Sequence, residues 1–95
     1  MKAIIDGQVI ADSADTVAVQ GYDYFPLADA RTDLLEKSPR TPKDLECPHG
    51  VQFYDVVIDG KRHARNAWIY ERPQPAMNAV TDRVGFWEDV KVRIG

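Results

Sequence analysis

The stretch VQFYDVVIDGKRHARNAWIY, residues 51–70, decides the fold of this chain. Its first part, Val51–Ile58, is apolar on both faces towards its end and predicts a buried strand. Asp59-Gly60 follows, a pair that tolerates the positive φ angles of a type I′ turn and indicates a tight hairpin. The returning arm, Lys61–Tyr70, begins polar and ends apolar. We therefore expect its first half to project beyond the core and its second half to pack within it.

The segment before this hairpin opens with a second strand–turn–strand pattern. Residues 3–5 and 8–11 are β-prone runs on either side of Asp6-Gly7, which again favours a tight turn. Residues 16–21 alternate apolar side chains between two faces and predict a third strand that ends at a glycine. The sheet is therefore expected to begin with local, antiparallel pairing.

One segment changes to a helical period. Leu27, Ala30 and Leu34 fall on one face of a helix, and Pro26 suits its first turn. We therefore predict one α-helix over residues 26–37, packed against an opening of the sheet. Residues 38–50 contain three prolines and predict a loop, and a loop of this length in a small domain is often functional.

The chain after the central hairpin predicts one short helical turn and more strand. The turn falls on residues 76–80, and residues 84–87 and 90–94 predict a pair of short strands or one bent strand. Together these patterns predict a mainly β fold with one α-helix, antiparallel and forming a single small domain over residues 1–95.

Composition excludes several classes of protein. Acids exceed bases, giving a formal net charge of −3, which argues against nucleic-acid binding because phosphate neutralisation needs a basic face. The chain of 95 residues has one cysteine, which forms no internal disulfide. No run approaches the roughly 20 apolar residues of a membrane span. We expect a cytoplasmic protein without membrane contact, monomeric or homodimeric.

Cys47 and His49 form the one candidate reactive corner. Residues two apart in an extended chain lie roughly 6 to 7 Å from each other, so a thiol–imidazole pair needs a bend at Pro48. A structural zinc site needs four ligands, whereas the chain offers one cysteine and two histidines. We expect no metal and no cofactor. We favour Cys47 as a small buried hydrophobic residue at the foot of a strand over a Cys-His nucleophile.

The charged residues give little support for transferase chemistry. Residues 61–65 are the basic run of the chain, either a grip for a phosphate or carboxylate or, as we favour, a solvated arm balanced by acids elsewhere. Nucleotidyl transfer needs clustered carboxylates that hold magnesium, and Asp6, Asp55 and Asp59 form no recognisable motif. The sequence also has no Gly-rich phosphate loop.

Aromatic residues are more informative, because nine of them fall in separate elements of a small domain. A core of this size can scarcely bury all of them. Two interpretations remain open. One is a pocket with aromatic walls and polar tips from Tyr24, Tyr70 and His49, and the other is a set of half-buried core residues whose hydroxyls reach water.

Several short signatures, taken in order, resemble the DUF427 family of small bacterial domains. They span nearly the whole chain: YFP at 24–26, CP at 47–48, YDVV at 54–57, AWIY at 67–70, Pro73, PA at 75–76 and VGFW at 84–87. The resemblance implies a β-tent-like, Mss4-like fold, similar to methionine sulfoxide reductase B but without its paired zinc cysteines. The family has no assigned biochemical role, and its nucleotidyltransferase label finds no support in these residues.

The chain departs from the family pattern at one place. Family members usually follow Cys-Pro with an aromatic residue and Lys-Gly, whereas here His49-Gly50 comes at once. If that lysine has a role in relatives, this chain either lacks that role or uses His49 or Lys43 for it.

We interpret the chain as a small-molecule binding or sensing module with an aromatic-lined cleft. The predicted ligand-binding residues are Tyr24, Phe25, Cys47, His49, Trp68 and Tyr70. A second hypothesis is an interaction module whose exposed aromatic residues form a homodimer or partner surface. A third is an enzyme that uses Cys47. The sequence identifies neither the ligand nor a catalytic residue.

Overall fold

A computed structural model describes residues 1–87 and 92–95 as two antiparallel sheets. In chain order the strands are β1 (Lys2–Ile5), β2 (Gln8–Asp12), β3 (Val17–Val19), β4 (Tyr22–Pro26), β5 (Leu35–Lys37), β6 (Val51–Ile58), β7 (Lys61–Tyr70), β8 (Arg83–Phe86) and β9 (Val92–Ile94). The smaller sheet has the order β2-β1-β9, and the larger sheet has the order β3-β4-β8-β7-β6-β5. The predicted mainly β, antiparallel fold class is confirmed.

The β6–β7 hairpin forms as its sequence predicts. Asp59 and Gly60 have φ angles of 49° and 77°, in the left-handed region that a type I′ turn requires. Lys61 at the start of β7 is exposed, whereas Ala67 and Trp68 are buried. The expected division of the returning arm into a projecting half and a packed half is confirmed.

A bulge interrupts the β6–β7 pairing beside Asp55. Arg65 opposite it has a φ of 55°, and its backbone N–H donates to Asp55 Oδ1 at 2.9 Å. The Arg62 guanidinium binds the same carboxylate at 2.7 Å, and the Arg65 guanidinium donates two hydrogen bonds to Asp44. Acids on neighbouring elements therefore balance the basic run of residues 61–65, as our favoured interpretation holds.

The β1–β2 hairpin turns at Asp6 and Gly7, whose φ angles are 50° and 79°. The predicted third strand also exists, but β3 pairs with β4 in the larger sheet. The expected local, antiparallel pairing at the start of the chain is present, but it is divided between the two sheets. The two sheets meet near this turn, where His63 Nε2 on β7 lies 3.0 Å from Asp6 Oδ2.

The predicted helix over residues 26–37 is wrong. Pro26 ends β4, single 3-10 turns follow at Leu27–Asp29 and Thr32–Leu34, and β5 occupies the end of the segment. The side chains of Leu27, Ala30, Leu34 and Leu35 are partly buried and still pack against the core. The 3.6-residue period therefore reports which side chains are buried, and the backbone is not helical.

Pairing with the smaller sheet explains this difference. Ala30, between the two turns, is extended and forms an antiparallel bridge with Ala11 of β2. The N–H of Arg31 donates to the C=O of Ile10 at 2.7 Å. A helix would take these backbone groups into its own hydrogen bonds, so tertiary pairing overrides the local helical preference.

The segment 38–50, predicted as a loop, contains a short helix, α1 (Pro42–Leu45). Thr41 Oγ1 accepts the N–H of Asp44 at 3.2 Å, and Asp44 Oδ2 accepts the N–H of Thr41 at 3.0 Å. This reciprocal capping box, with Pro42 at the first position, is present in the sequence as Thr-Pro-Lys-Asp. Within residues 1–87 and 92–95, no helix is long and apolar enough to cross a membrane.

The C-terminal strands separate into the two sheets. A 3-10 helix at Pro75–Val80 fulfils the predicted helical turn. β8 lies between β4 and β7 in the larger sheet, and β9 lies beside β1 in the smaller one. The segment is therefore a pair of strands rather than one bent strand. Val90 and Lys91, which we assigned to the second strand, lie outside the described residues.

The larger sheet carries a core on each face. The core between the sheets includes Ala3, Ile5, Ile10, Phe25, Val56, Val84 and Phe86. The core on the opposite face, here called the aromatic core, consists of Tyr24, Val51, Trp68, Met77 and Val80, with Tyr22, Cys47, Phe53 and Tyr70 packed against it. Alternate residues of a strand point to opposite faces, so one strand supplies both cores.

Candidate functional site

A row of side chains crosses the larger sheet in the aromatic core. Tyr24 of β4 pairs in register with Gly85 of β8, and Gly85 pairs with Trp68 of β7. A Cβ atom on Gly85 would lie 2.8 Å from Trp68 Cζ2 and 3.0 Å from Tyr24 Cε2. Because Gly85 has no side chain, the two aromatic rings can meet above the sheet.

Tyr24 and Trp68 form the floor of the candidate site. Their side chains are 2% and 4% exposed, and the rings stand nearly perpendicular with centroids 6.0 Å apart. The Trp68 Nε1–H donates to the Tyr24 hydroxyl at 3.2 Å. A buried indole N–H needs such an acceptor, so this hydrogen bond fixes the orientation of both rings.

Tyr70 stands at the edge of this floor. It is half-buried, and its ring centroid lies 6.4 Å from that of Tyr24. Burial, followed by the neighbouring Tyr24 hydroxyl and the Cys47 thiol, raises the pKa of Tyr70 to about 12. The Tyr70 phenol is therefore neutral at physiological pH.

His49 is held above Tyr70 by the chain that follows β7. The two rings meet edge to face with centroids 5.7 Å apart. His49 Nδ1 accepts the backbone N–H of Gln74 at 3.0 Å, and the His49 C=O accepts the N–H of Arg72 at 3.0 Å. The neutral imidazole therefore carries its proton on Nε2. Lys43, the other candidate substitute for the family lysine, lies on α1 and is exposed.

Cys47 lies in the turn that leads from α1 into β6. Its N–H donates to the Asp44 C=O, and its C=O accepts the N–H of Gly50, both at 3.2 Å. The side chain packs against the aromatic core but is half-buried rather than enclosed. Our expectation of its place at the foot of a strand holds, whereas the expected burial is only partial.

Phe25 does not lie with the other five predicted site residues. It is fully buried in the core between the sheets, with its ring centroid 5.9 Å from that of Phe86. The reason is the alternation of β4, which turns Tyr24 to one face and Phe25 to the other. The sequence analysis predicted no strand over residues 24–25 and so could not separate the two side chains.

Tyr22 and Trp87 are neighbours of the floor that sequence reasoning did not place there. The Tyr22 ring centroid lies 5.1 Å from that of Trp68 and 5.3 Å from that of Trp87, each pair close to perpendicular. Trp87 is 42% exposed. The spacing of Tyr22 and Tyr24 would have indicated a shared face had this segment been interpreted as a strand.

Two cavities of ≈ 280 Å³ lie outside the group formed by Cys47, His49 and Tyr70. One is lined by β2 and by the chain around Ala30. The other is lined by Tyr22, Asp23 and Trp87, among others. Neither is lined by Cys47, His49 or Tyr70, so a ligand at these three residues would bind to the surface that they form and not in either cavity.

The described residues do not assemble a metal site. Residues 1–87 and 92–95 contain no group of three or more His, Cys, Asp or Glu side chains placed to hold an ion. Of the carboxylates considered for magnesium, Asp55 binds Arg62 and Asp6 lies beside Lys61 and His63. These contacts are those of structural ion pairs.

Comparison with protein families gives a match over nearly the whole chain. The model of a family described as a domain of unknown function, DUF427, matches residues 1–94 of the chain. No curated protein matches it.

Proposed function

We propose that this chain, which belongs to the DUF427 family, is a small-molecule binding module whose site is the rim formed by Cys47, His49 and Tyr70. The buried pair Tyr24 and Trp68 supports this rim from below. Rigid aromatic surface with a few fixed polar groups is the usual composition of a ligand site.

One observation carries the proposal: hydrogen bonds within the protein occupy most polar side-chain atoms of this group, but not all of those on the rim. The Trp68 N–H is bonded to Tyr24, and His49 Nδ1 is bonded to the Gln74 backbone. The His49 Nε2–H remains for a ligand, and beside it lies the half-buried Tyr70 phenol, whose hydroxyl also interacts with that of Tyr24. Their positions are fixed before binding, which lowers the entropic cost of association.

A thermal-shift screen with a metabolite library tests the proposal, with Tyr70→Phe and His49→Ala beside the wild type. A ligand that raises Tm should lose most of this effect in both variants. Tyr54→Phe is the matched control, because Tyr54 is half-buried against the core between the sheets. A ligand whose effect survives both rim variants binds elsewhere and contradicts the proposal.

A second candidate is an interaction module, favoured by the exposed aromatic surface of Trp87 and by Leu45 on α1, which is 68% exposed. Sedimentation separates the two candidates. A monomer stabilised by a metabolite supports the binding module. A tight homodimer that responds to no small molecule supports the interaction module.

A further inference from the structure

Arg72 lies directly beside the proposed site. Its backbone N–H donates to the His49 C=O at 3.0 Å. Its guanidinium lies against Gly50: a Cβ atom on Gly50 would come within 3.0 Å of Arg72 Nε and 3.4 Å of Nη2. Gly50 also has a φ of 66°, which glycine adopts without strain. The glycine therefore leaves room for the arginine head next to the His49 turn.

The charge of Arg72 is not balanced by an acid. Every other arginine whose side chain the structure describes has a carboxylate partner: Arg31 with Asp33, Arg40 with Glu71, Arg62 with Asp55 and Glu36, Arg65 with Asp44, and Arg83 with Asp15. Arg72 has no such partner within the described ranges, in a chain whose acids outnumber its bases.

The nearest acid in the chain is already neutralised. Glu71 precedes Arg72, but its carboxylate binds Arg40. The Arg72 guanidinium therefore offers N–H donors that no carboxylate among the described residues takes up. His49, on the adjoining turn, offers a further donor at Nε2 because its Nδ1 accepts the backbone N–H of Gln74.

We infer that Arg72 and His49 recognise an oxyanion, a carboxylate or a phosphate, carried by the ligand of the proposed site. The inference rests on the proposed function and names the chemistry of its ligand. The planar guanidinium fork matches either oxyanion with two parallel hydrogen bonds. The Tyr70 and His49 rings would then contact the apolar part of the same molecule.

Three probes with one ring separate the contributions: phenol, benzoate and phenyl phosphate. Titrations are followed by the amide ¹H–¹⁵N shifts of the non-proline residues in the ranges 47–50 and 70–74. We expect saturable shifts with benzoate or phenyl phosphate, weakened about tenfold by Arg72→Gln because a charge-assisted pair is lost. The probe with the larger shift identifies the carboxylate or the phosphate as the preferred head.

Arg31→Gln is the matched control, since it removes the same charge from an exposed arginine that binds only its neighbour Asp33. It should change anion affinity by less than about twofold. Equal weakening by both variants would reduce the effect to net charge and overturn the inference. So would binding of phenol as tight as that of benzoate and indifferent to Arg72→Gln, a result that leaves the proposed function standing. If none of the three probes shifts these amides, both the inference and the proposed site fail.

Discussion

A methyl group on Gly85 would lie 2.8 Å from Cζ2 of Trp68, so the indole occupies the space that a side chain on β8 would take. The ring cannot move aside without breaking its hydrogen bond to Tyr24. One glycine in the middle of a strand thus determines the arrangement of the candidate site above it.

Gly85→Ala should destabilise the fold by about 1–3 kcal/mol, the usual cost of overpacking a rigid core. Urea unfolding followed by tryptophan fluorescence measures this change. Gly95→Ala is the control, because a Cβ atom there meets nothing within 4 Å. An unchanged midpoint for Gly85→Ala would show that the indole has room to move.

Tyr24→Phe should cost about 1–3 kcal/mol, because it leaves the buried Trp68 N–H without its acceptor. Unfolding by urea gives the loss, and the emission maximum of the native protein reports the surroundings of the indole. Tyr54→Phe, which removes a hydroxyl from the other side of the larger sheet, should cost less. Equal losses would mean that the Tyr24–Trp68 hydrogen bond contributes nothing specific.

Acid should destabilise the protein through Asp44. The Arg65 guanidinium, followed by the Thr41 N–H, holds the pKa of Asp44 below its usual value. Such a carboxylate contributes stability above its unfolded pKa of about 3.9 and loses it as pH falls through the folded pKa. Asp44→Asn should therefore be less stable than wild type at neutral pH, with a difference that shrinks below a pH of about 4. Thermal unfolding over a pH series measures this, and a constant difference would contradict it.

Cys47 should react with iodoacetamide more slowly in the native protein than in the urea-unfolded chain, since its side chain is half-buried against the aromatic core. Cys47→Ser should lower the free energy of unfolding by about 1–3 kcal/mol, because a hydroxyl there lacks a hydrogen-bond partner. Cys47→Ala should lower it by less. Fast native alkylation that slows when His49 is removed would instead favour a Cys-His enzyme.

Purified protein should contain no stoichiometric zinc, because one thiol and two imidazoles cannot close a structural site. Its melting temperature should be the same with and without a chelator. Elemental analysis that finds one zinc per chain would refute this prediction.

Both predicted Asp-Gly hairpins could be identified from sequence because their signal is local. The positive φ angles of Asp6-Gly7 and Asp59-Gly60 depend on the turn residues themselves. The helix assigned to residues 26–37 failed for the opposite reason. Ala30 is extended because it pairs with Ala11, and no pattern within residues 26–37 indicates pairing with a strand so distant in sequence.

The candidate site, like the fold, could be predicted from the sequence only in part. Tyr24, Trp68 and Tyr70 could be proposed together because aromatic residues outnumber the places in a small core. Phe25 was grouped with them because the face of the sheet to which each β4 side chain points depends on the pairing of β4 with β8. The place of Arg72 could not be inferred either, because it depends on a contact with Gly50 that only the folded chain creates.

The alternation of β8 limits how this protein can vary in length. Val84 and Phe86 enter the core between the sheets, and Gly85 lies under the indole on the other face. Inserting or deleting one residue within β8 would exchange the faces and bring a bulky side chain beneath Trp68. Sequence drift in this strand is therefore restricted to substitutions, whereas insertions at the exposed turns of the chain leave both faces in register.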